Sequence, residues 1–132
     1  MPARRLDFPR RRPHVLLIMH ELGIAESALR LALARAREAG GTRLARIVIR
    51  VGALSGVDAE ALRFGFAAIL PGTIAEGAVV QIDPVPALAY CQDCQQDFSP
   101  DTDHFFECPR CGRLSGTLKQ GRELDLVRLE IT

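Results

Sequence analysis

Four cysteines are the residues of this chain whose spacing most clearly indicates chemistry. They form two Cys-x2-Cys pairs, Cys91 with Cys94 and Cys108 with Cys111, and 13 residues separate the pairs. Two thiolates at this spacing can point at one centre from a tight turn, and two such turns complete the tetrahedral sulfur shell that Zn²⁺ prefers. The spacing therefore predicts a structural zinc site, for which iron is a chemically reasonable alternative metal.

Disulfides, unligated dithiols and catalysis are the other interpretations of the cysteines. No secretory signal is evident, so we expect a cytoplasmic protein, and disulfides are rare in that compartment. A redox Cys-x2-Cys motif usually opens a helix in a thioredoxin-like fold, which this sequence does not resemble. Four thiolates leave no open zinc position for water, and no pairing of a nucleophile with a base is evident. We therefore expect a protein that is not an enzyme.

The triplet Met19-His20-Glu21 is a second candidate metal site. If translation starts at Met19, its α-amine, the amide nitrogen of His20 and the imidazole can form fused chelate rings, and Glu21 can add a fourth ligand. A planar, nitrogen-rich set suits Ni²⁺ or Cu²⁺ better than Zn²⁺. Composition alone favours a solvated helix N-terminus, where the helix dipole stabilises Glu21. Within the cysteine segment, His104 is an alternative metal ligand, although a loop histidine without a metal is the simpler interpretation.

Two helices and three strands are predicted to position these residues. Apolar periodicity predicts helices over 22–39 and 59–70, the second capped by Ser55 or Asp58, and alternation predicts strands over 44–51, 78–85 and 123–131. The strand over 44–51 should have one solvated face that includes Val48. The last strand loses its alternation between Leu126 and Val127, which predicts a β-bulge.

The order of these elements predicts an α+β protein. We expect a small domain with two helices and a three-stranded mixed sheet, formed by residues 19–90 and 112–132, which would carry the nickel site. Residues 91–111 would form an inserted zinc-ribbon-like domain, or knuckle. Residues 1–18 hold five Arg, one Asp and three Pro, so we expect a flexible basic tail or the product of an upstream start codon.

The charge distribution argues against two classes of partner. Lys and Arg number 17 and Asp and Glu number 16, for a net charge of +1, and no apolar run reaches the ~18 residues of a membrane-spanning helix. The 91–111 segment carries a net charge of −4 and would repel a phosphate backbone. We therefore expect neither membrane nor nucleic-acid binding, and we expect the phenylalanines of this segment to pack the knuckle: Phe98, Phe105 and Phe106.

Several segments together resemble the HypA/HybF hydrogenase nickel-incorporation proteins, in family order over residues 19–132. Cysteine pairs alone are not specific, but their combination with a Met-His-Glu start and a Gly-Ala-Leu-Ser segment is. The matching segments are Met19-His20-Glu21, Val51-Gly52-Ala53-Leu54-Ser55-Gly56-Val57, Phe64-Gly65-Phe66, Gly72-Thr73, Glu76-Gly77-Ala78, the two cysteine pairs and Gly121-x-Glu123-Leu124.

The resemblance implies a metallochaperone with Ni(II) as cargo and a separate structural Zn(II). It implies delivery of nickel to the [NiFe]-hydrogenase large-subunit precursor together with a partner GTPase, and it is compatible with a homodimer. His20 would be the principal nickel ligand, with Glu21 a neighbouring ligand or tuner and Met19 a ligand through its amine only at the chain start. Cys91, Cys94, Cys108 and Cys111 would hold the zinc. The alternative is a zinc-ribbon adaptor or binding module without a nickel site.

Overall fold

The computed structural model describes residues 2–8, 21–100, 106–114 and 116–132. In these ranges, two helices and seven strands form an α+β fold with two sheets, which confirms the predicted class. The elements are β1 (Arg4–Asp7), α1 (Glu21–Glu38), β2 (Leu44–Gly52), α2 (Ala59–Ile69), β3 (Val79–Val85), β4 (Leu88–Cys91), β5 (Gln96–Phe98), β6 (Thr117–Gln120) and β7 (Leu124–Ile131).

Helix α1 matches its prediction to within one residue at each end. Ala, Leu, Arg and Glu dominate its sequence, and they are strong helix formers. The helix stops where Gly40 takes a φ of 74°, and the Gly41 N–H donates to the Ala36 carbonyl. Its buried face is built largely of small side chains, which lets other elements approach closely: Ile24, Ala25, Ala28, Leu29, Ala32 and Ala36.

The N-cap of helix α2 had two candidates in the sequence, Ser55 and Asp58. The Asp58 carboxylate accepts hydrogen bonds from the N–H groups of Glu60 and Ala61, so Asp58 is the N-cap. Ser55 instead accepts from Val57. Gly65 lies where α2 crosses α1, and a Cβ there would lie 3.3 Å from the Leu22 Cα. The absence of a side chain at Gly65 therefore allows the two helices to pack closely beside the start of α1.

The first sheet is mixed, as predicted, with strand order β1-β7-β2-β3. β2 runs parallel to β3 and antiparallel to β7. The parallel pairing is possible because α2 provides the crossover connection between β2 and β3. One face of the sheet carries the apolar side chains that pack with the helices, among them Ile47, Ile49 and Leu129. This layer forms the larger core of the molecule.

The predicted bulge is confirmed in β7. Val48 of β2 pairs with Arg128, whereas the next residue, Ile49, pairs with Leu126. Val127 is therefore the extra residue, and the bulge explains why the alternation of the sequence slips at that point.

The sheet has a fourth strand that the sequence analysis placed in a flexible tail. β1 pairs antiparallel with β7, and the Phe8 N–H donates to the Val127 carbonyl at 2.8 Å. Leu6 and Phe8 pack against the larger core. The expectation of a flexible tail was therefore wrong for residues 4–7. A short polar edge strand is hard to predict from local sequence, because it is stabilised by pairing with a strand that is distant in the chain. Residues 9–18 lie outside the described residues.

The prediction that one face of β2 is exposed to solvent was also wrong at one position. Val48 points away from the helices yet is fully buried. Its cross-strand neighbours are Gln81 and Arg128, and long polar side chains of this kind can cover an apolar residue with their aliphatic stems.

The second sheet holds the cysteine segment and was not predicted. Its strand order is β5-β4-β6, so it extends past the 91–111 segment on both sides. Among the residues that the structure describes, its core holds Ala89, Cys91, Phe98 and Cys108, and the burial of Phe98 agrees with the expected packing of the knuckle. Phe105 lies outside the described residues.

Neither of the two helices that the described residues form is long and apolar enough to cross a membrane.

Candidate metal centres

The structure brings the four predicted cysteines into one cluster. Their four Sγ atoms all lie within 4.8 Å of one another. The Sγ atoms of Cys91 and Cys111 are 3.6 Å apart, and those of Cys94 and Cys108 are 3.9 Å apart. Each close pair joins one cysteine of the first Cys-x2-Cys motif to one of the second.

These distances suit a tetrahedral thiolate site. A zinc–sulfur bond of about 2.3 Å implies a separation of about 3.8 Å between sulfurs of a regular tetrahedron. A disulfide would need about 2.05 Å instead, and all four cysteines are free. The donor set therefore fits Zn²⁺, with Fe²⁺ the chemical alternative that the same four sulfurs could hold.

Two tight turns place the sulfurs. Cys91 ends β4, and Cys94 lies in the turn that leads to β5. The residue after each second cysteine has a positive φ, 52° at Gln95 and 72° at Gly112. This left-handed conformation turns the chain back over the metal position, and in the second motif the Gly112 N–H donates to the Cys108 carbonyl at 2.8 Å.

Hydrogen bonding separates the acidities of the thiols. A hydrogen bond from the Cys111 backbone is the main cause that lowers the pKa of Cys108 from 9.0 to about 7. Hydrogen bonding with the Cys111 side chain, followed by burial, raises the pKa of Cys94 to about 12. A thiolate is the form that binds a metal, so the lowered pKa of Cys108 favours its metal-binding form.

Cations from outside the 91–111 segment reduce its negative charge. The Lys119 ammonium lies 2.9 Å from the Asp97 carboxylate, and the Arg113 guanidinium lies 3.4 Å from the Asp93 carboxylate. The second sheet as a whole is consequently less acidic than the segment that the sequence analysis considered, although its net charge remains negative.

The predicted nickel residues fall mostly outside the described part of the chain. Met19, His20 and the alternative ligand His104 are not among the described residues. Glu21 is the first residue of α1, and its Oε1 accepts a hydrogen bond from the Asp58 N–H at 3.3 Å. The start of α1 is therefore joined to the start of α2, where the dipole of α2 favours negative charge.

Sequence reasoning missed the residues that join these two helices. Asp58 was considered only as a cap, whereas its backbone also contacts Glu21. Gly65 was noted only in a matching motif, and the structure shows it against Leu22. The Phe-Gly-Phe sequence within a predicted helix was the pattern that could have indicated the contact at Gly65, because a glycine inside a helix often marks close packing.

A second glycine contact connects the two sheets. The Leu54 N–H donates to the Gly121 carbonyl at 2.6 Å, and the Gly52 N–H donates to the Glu123 carbonyl at 2.7 Å. Gly52 and Gly121 lie so close that a Cβ on Gly52 would overlap the backbone of Gly121. Two motifs that were separate in the sequence analysis therefore meet where β2 ends and the chain passes from β6 to β7.

Comparison with known proteins gives a consistent assignment. A family model described as hydrogenase/urease nickel incorporation, metallochaperone, hypA matches residues 19–131. The hydrogenase maturation factor HypA of Chloroflexus aurantiacus is 45% identical over 112 residues, which cover 85% of this chain and 98% of that protein. The corresponding factor of Picosynechococcus sp. is 41% identical over 113 residues, which cover 86% of this chain and 99% of that protein.

Solved structures support the fold. The solution structure of the Ni metallochaperone HypA from Helicobacter pylori matches with a TM-score of 0.61 and 24% identity, over 86% of this chain and 97% of that chain. From the family match and the identity to these relatives, this chain belongs to the HypA family of nickel metallochaperones for hydrogenase maturation.

Proposed function

We propose that this chain binds Ni(II) through His20 and delivers it to the large-subunit precursor of a [NiFe]-hydrogenase. The observation that carries the proposal is the extent of the family match, which begins at Met19 and so places the Met-His-Glu triplet at its first positions. The chain acts as a carrier and not as an enzyme, in a cytoplasmic setting, with a partner GTPase and the hydrogenase precursor as its protein partners.

Glu21 has a tuning role in this proposal. Its carboxylate already accepts a hydrogen bond from the Asp58 N–H, which holds the first residue of α1 against the cap of α2. This contact supports a role for Glu21 in positioning the preceding His20 and in adding negative charge near a bound cation.

The four cysteines hold a structural zinc ion. The support is the size of the second core, to which the described residues contribute four buried side chains, two of them from proposed ligands. A core this small contributes little apolar burial, so metal binding supplies the folding free energy of the unit. Zinc thus orders the second sheet, while nickel binds at the start of α1 in the other part of the molecule.

The two metals have different requirements for release. A carrier has to transfer its cargo, so nickel affinity is moderate, and a nickel-bound imidazole has to be neutral. Acidification that protonates His20 therefore releases nickel. The closed thiolate shell of the zinc site holds its metal through transfer.

The test is nickel binding by the His20→Ala variant, measured by calorimetry with metal content determined in parallel. Loss of the imidazole and one chelate ring should weaken nickel affinity by at least ~10–100-fold, beyond the effect of an outer-shell change. Zinc content should stay the same. Unchanged nickel affinity would move the site elsewhere, with His104 and the cysteines as the next candidates.

Chain length tests the contribution of the Met19 amine. A chain that starts at Met19 offers a free amine, whereas in the 132-residue chain the same nitrogen is a peptide amide. The shorter chain should bind Ni(II) in a planar, nitrogen-rich site, and the longer chain should bind more weakly or with a different geometry. Identical absorption spectra and affinities would show that the amine is not a ligand.

A further inference from the structure

The outer edge of β7 is covered by a strand from the same chain. β1 pairs with β7 through four residues, with Arg5 opposite Glu130, Leu6 opposite Leu129 and Asp7 opposite Arg128. β1 lies before the region that the family model matches, which begins at residue 19. Without β1, β7 would be the outer strand of this sheet, and an uncovered edge strand offers unpaired N–H and C=O groups to another chain.

The last three residues of β1 resemble a segment of β7. Residues 5–7 are Arg-Leu-Asp, and residues 128–130 are Arg-Leu-Glu. Antiparallel pairing places Arg5 opposite Glu130 and Asp7 opposite Arg128. A second β7 in the same orientation would present its own Arg, Leu and Glu to the same three positions. β1 therefore has the charge pattern of a second copy of β7.

The edge of β7 is self-complementary about Leu129. Two antiparallel copies related by a twofold axis at that residue place Leu129 opposite Leu129 and each Arg128 opposite the Glu130 of the other copy. Opposite charges facing each other across an antiparallel pair are stabilising, and like charges are destabilising. Charge complementarity thus selects a second copy of this chain as the partner of the edge.

The backbone of β7 supports the same register. The Val127 carbonyl points outward, since it accepts from the Phe8 N–H at 2.8 Å. Outward-pointing groups recur at every second residue of an antiparallel strand, so the N–H and C=O of Leu129 also point outward. A twofold axis at Leu129 would let these two groups exchange hydrogen bonds with their symmetry mates.

One hydrogen-bond donor of β7, on the side chain of Arg128, has no partner in β1. Arg128 Nε is buried and has no hydrogen-bond partner among the described residues. The facing Asp7 carboxylate contacts Arg5 of its own strand instead, at 3.1 Å. A glutamate at this position is one methylene longer than Asp7 and would reach further toward Arg128, which again favours a second β7 as partner.

We propose that the outer edge of β7 is a self-association surface for a second copy of this chain and that β1 blocks it in the monomer. A tethered strand competes well with a separate chain, because its effective concentration is on the order of millimolar. Displacement of β1 opens the edge and permits a dimer with one continuous sheet across both subunits.

The test measures self-association of full-length variants by sedimentation equilibrium. Leu6→Asp removes the apolar contact of β1 with the core and should release the strand. The apparent dimer dissociation constant should then fall by roughly 10–100-fold relative to the unvaried chain, because the competent state is no longer a minor population. Leu31→Asp, which adds the same charge at an exposed position of α1, should leave it unchanged.

A second variant covers the case in which Leu6→Asp impairs folding. Combining Arg5→Glu with Asp7→Arg leaves the apolar residues in place but sets like charges opposite Glu130 and Arg128. It should release β1 and give the same increase in dimerisation. Circular dichroism verifies that each variant keeps its fold. Folded variants that associate no more tightly than the unvaried chain would refute the proposal.

Charge exchange in the released background identifies the surface. Adding Arg128→Glu places two acidic residues opposite each other and should return the chain to a monomer, and Glu130→Arg should do the same with two basic residues. Mixing these two chains pairs opposite charges again and should restore a dimer that contains one of each. Dimers that persist in either variant alone would mean that another surface mediates association.

Discussion

At the residue scale, the proposed zinc site depends on backbone conformation as well as on its four sulfur atoms. Gln95 and Gly112 follow the second cysteine of their motifs, and both have a positive φ. An L-residue in this conformation is strained, whereas glycine is not. The first turn therefore carries a conformational cost at Gln95 that the second turn avoids at Gly112.

This difference predicts the effect of Gly112→Ala. Holding alanine in the left-handed conformation costs about 1–2 kcal/mol, which corresponds to a loss of zinc affinity of roughly 5–30-fold. A chelator-competition titration measures it. Gly116→Ala is the matched control, because Gly116 has a φ outside the positive range and none of the described residues beyond its chain neighbours has an atom within 4 Å of its added Cβ. Equal losses in the two variants would contradict the conformational explanation.

At the element scale, the junction between the sheets is a contact of backbone with backbone. β2 ends at Gly52, and the chain between β6 and β7 passes directly over it at Gly121. The Leu54–Gly121 and Gly52–Glu123 hydrogen bonds tie the two segments together. The side chain of Glu123 adds to this arrangement, since its carboxylate accepts from the Gly121 N–H at 2.6 Å. The absence of a side chain at Gly52 is therefore a condition for this junction.

The junction predicts strong destabilisation by Gly52→Ala. The added Cβ overlaps the Gly121 backbone, which cannot rotate away as a side chain could, so the free energy of unfolding should fall by about 1–3 kcal/mol or more. Urea denaturation followed by circular dichroism measures this loss. A variant as stable as the unvaried protein would show that the two strands are not held at this separation.

At the scale of the whole molecule, the two sheets have cores of very different size. In the described part of the chain, helices α1 and α2 and the first sheet share a core of 17 buried residues, whereas the core of the second sheet contains four. The larger core can form from apolar burial, while the smaller one would be stabilised by the cross-link of the proposed zinc. With the proposed zinc bound, the molecule would combine one unit stabilised by packing with one stabilised by metal ligation.

This imbalance predicts that zinc removal unfolds only part of the chain. Chelation, or Cys91→Ala, should abolish the amide-exchange protection of β4, β5 and β6, because the remaining thiols lose the metal ion that would join them. Protection in β2 and β7 should persist. Hydrogen exchange by mass spectrometry resolves the two regions. Simultaneous loss of protection in both sheets, or no loss in either, would contradict the proposed division of stability.

Local sequence patterns predicted those helices and strands in which apolar residues recur regularly over many positions. Both helices, the three longer strands of the first sheet and the bulge at Val127 agree with their predictions. The repeat of apolar residues along one face is a local property, so it can be recognised before the partners of that face are known. The Cys-x2-Cys pairs likewise indicated their common centre, because two residues of spacing leave few ways to direct both sulfurs.

The sequence by itself determined the family, the fold class and the identity of the clustered cysteines. Tertiary structure alone decided that β1 covers β7, that Val48 is buried, and that short strands surround the cysteine turns. It also brought Glu21 to Asp58 and Gly52 to Gly121. The physical reason is the range of the interactions: an edge pairing or a glycine contact depends on residues far away in the chain, whose approach leaves little trace in local periodicity.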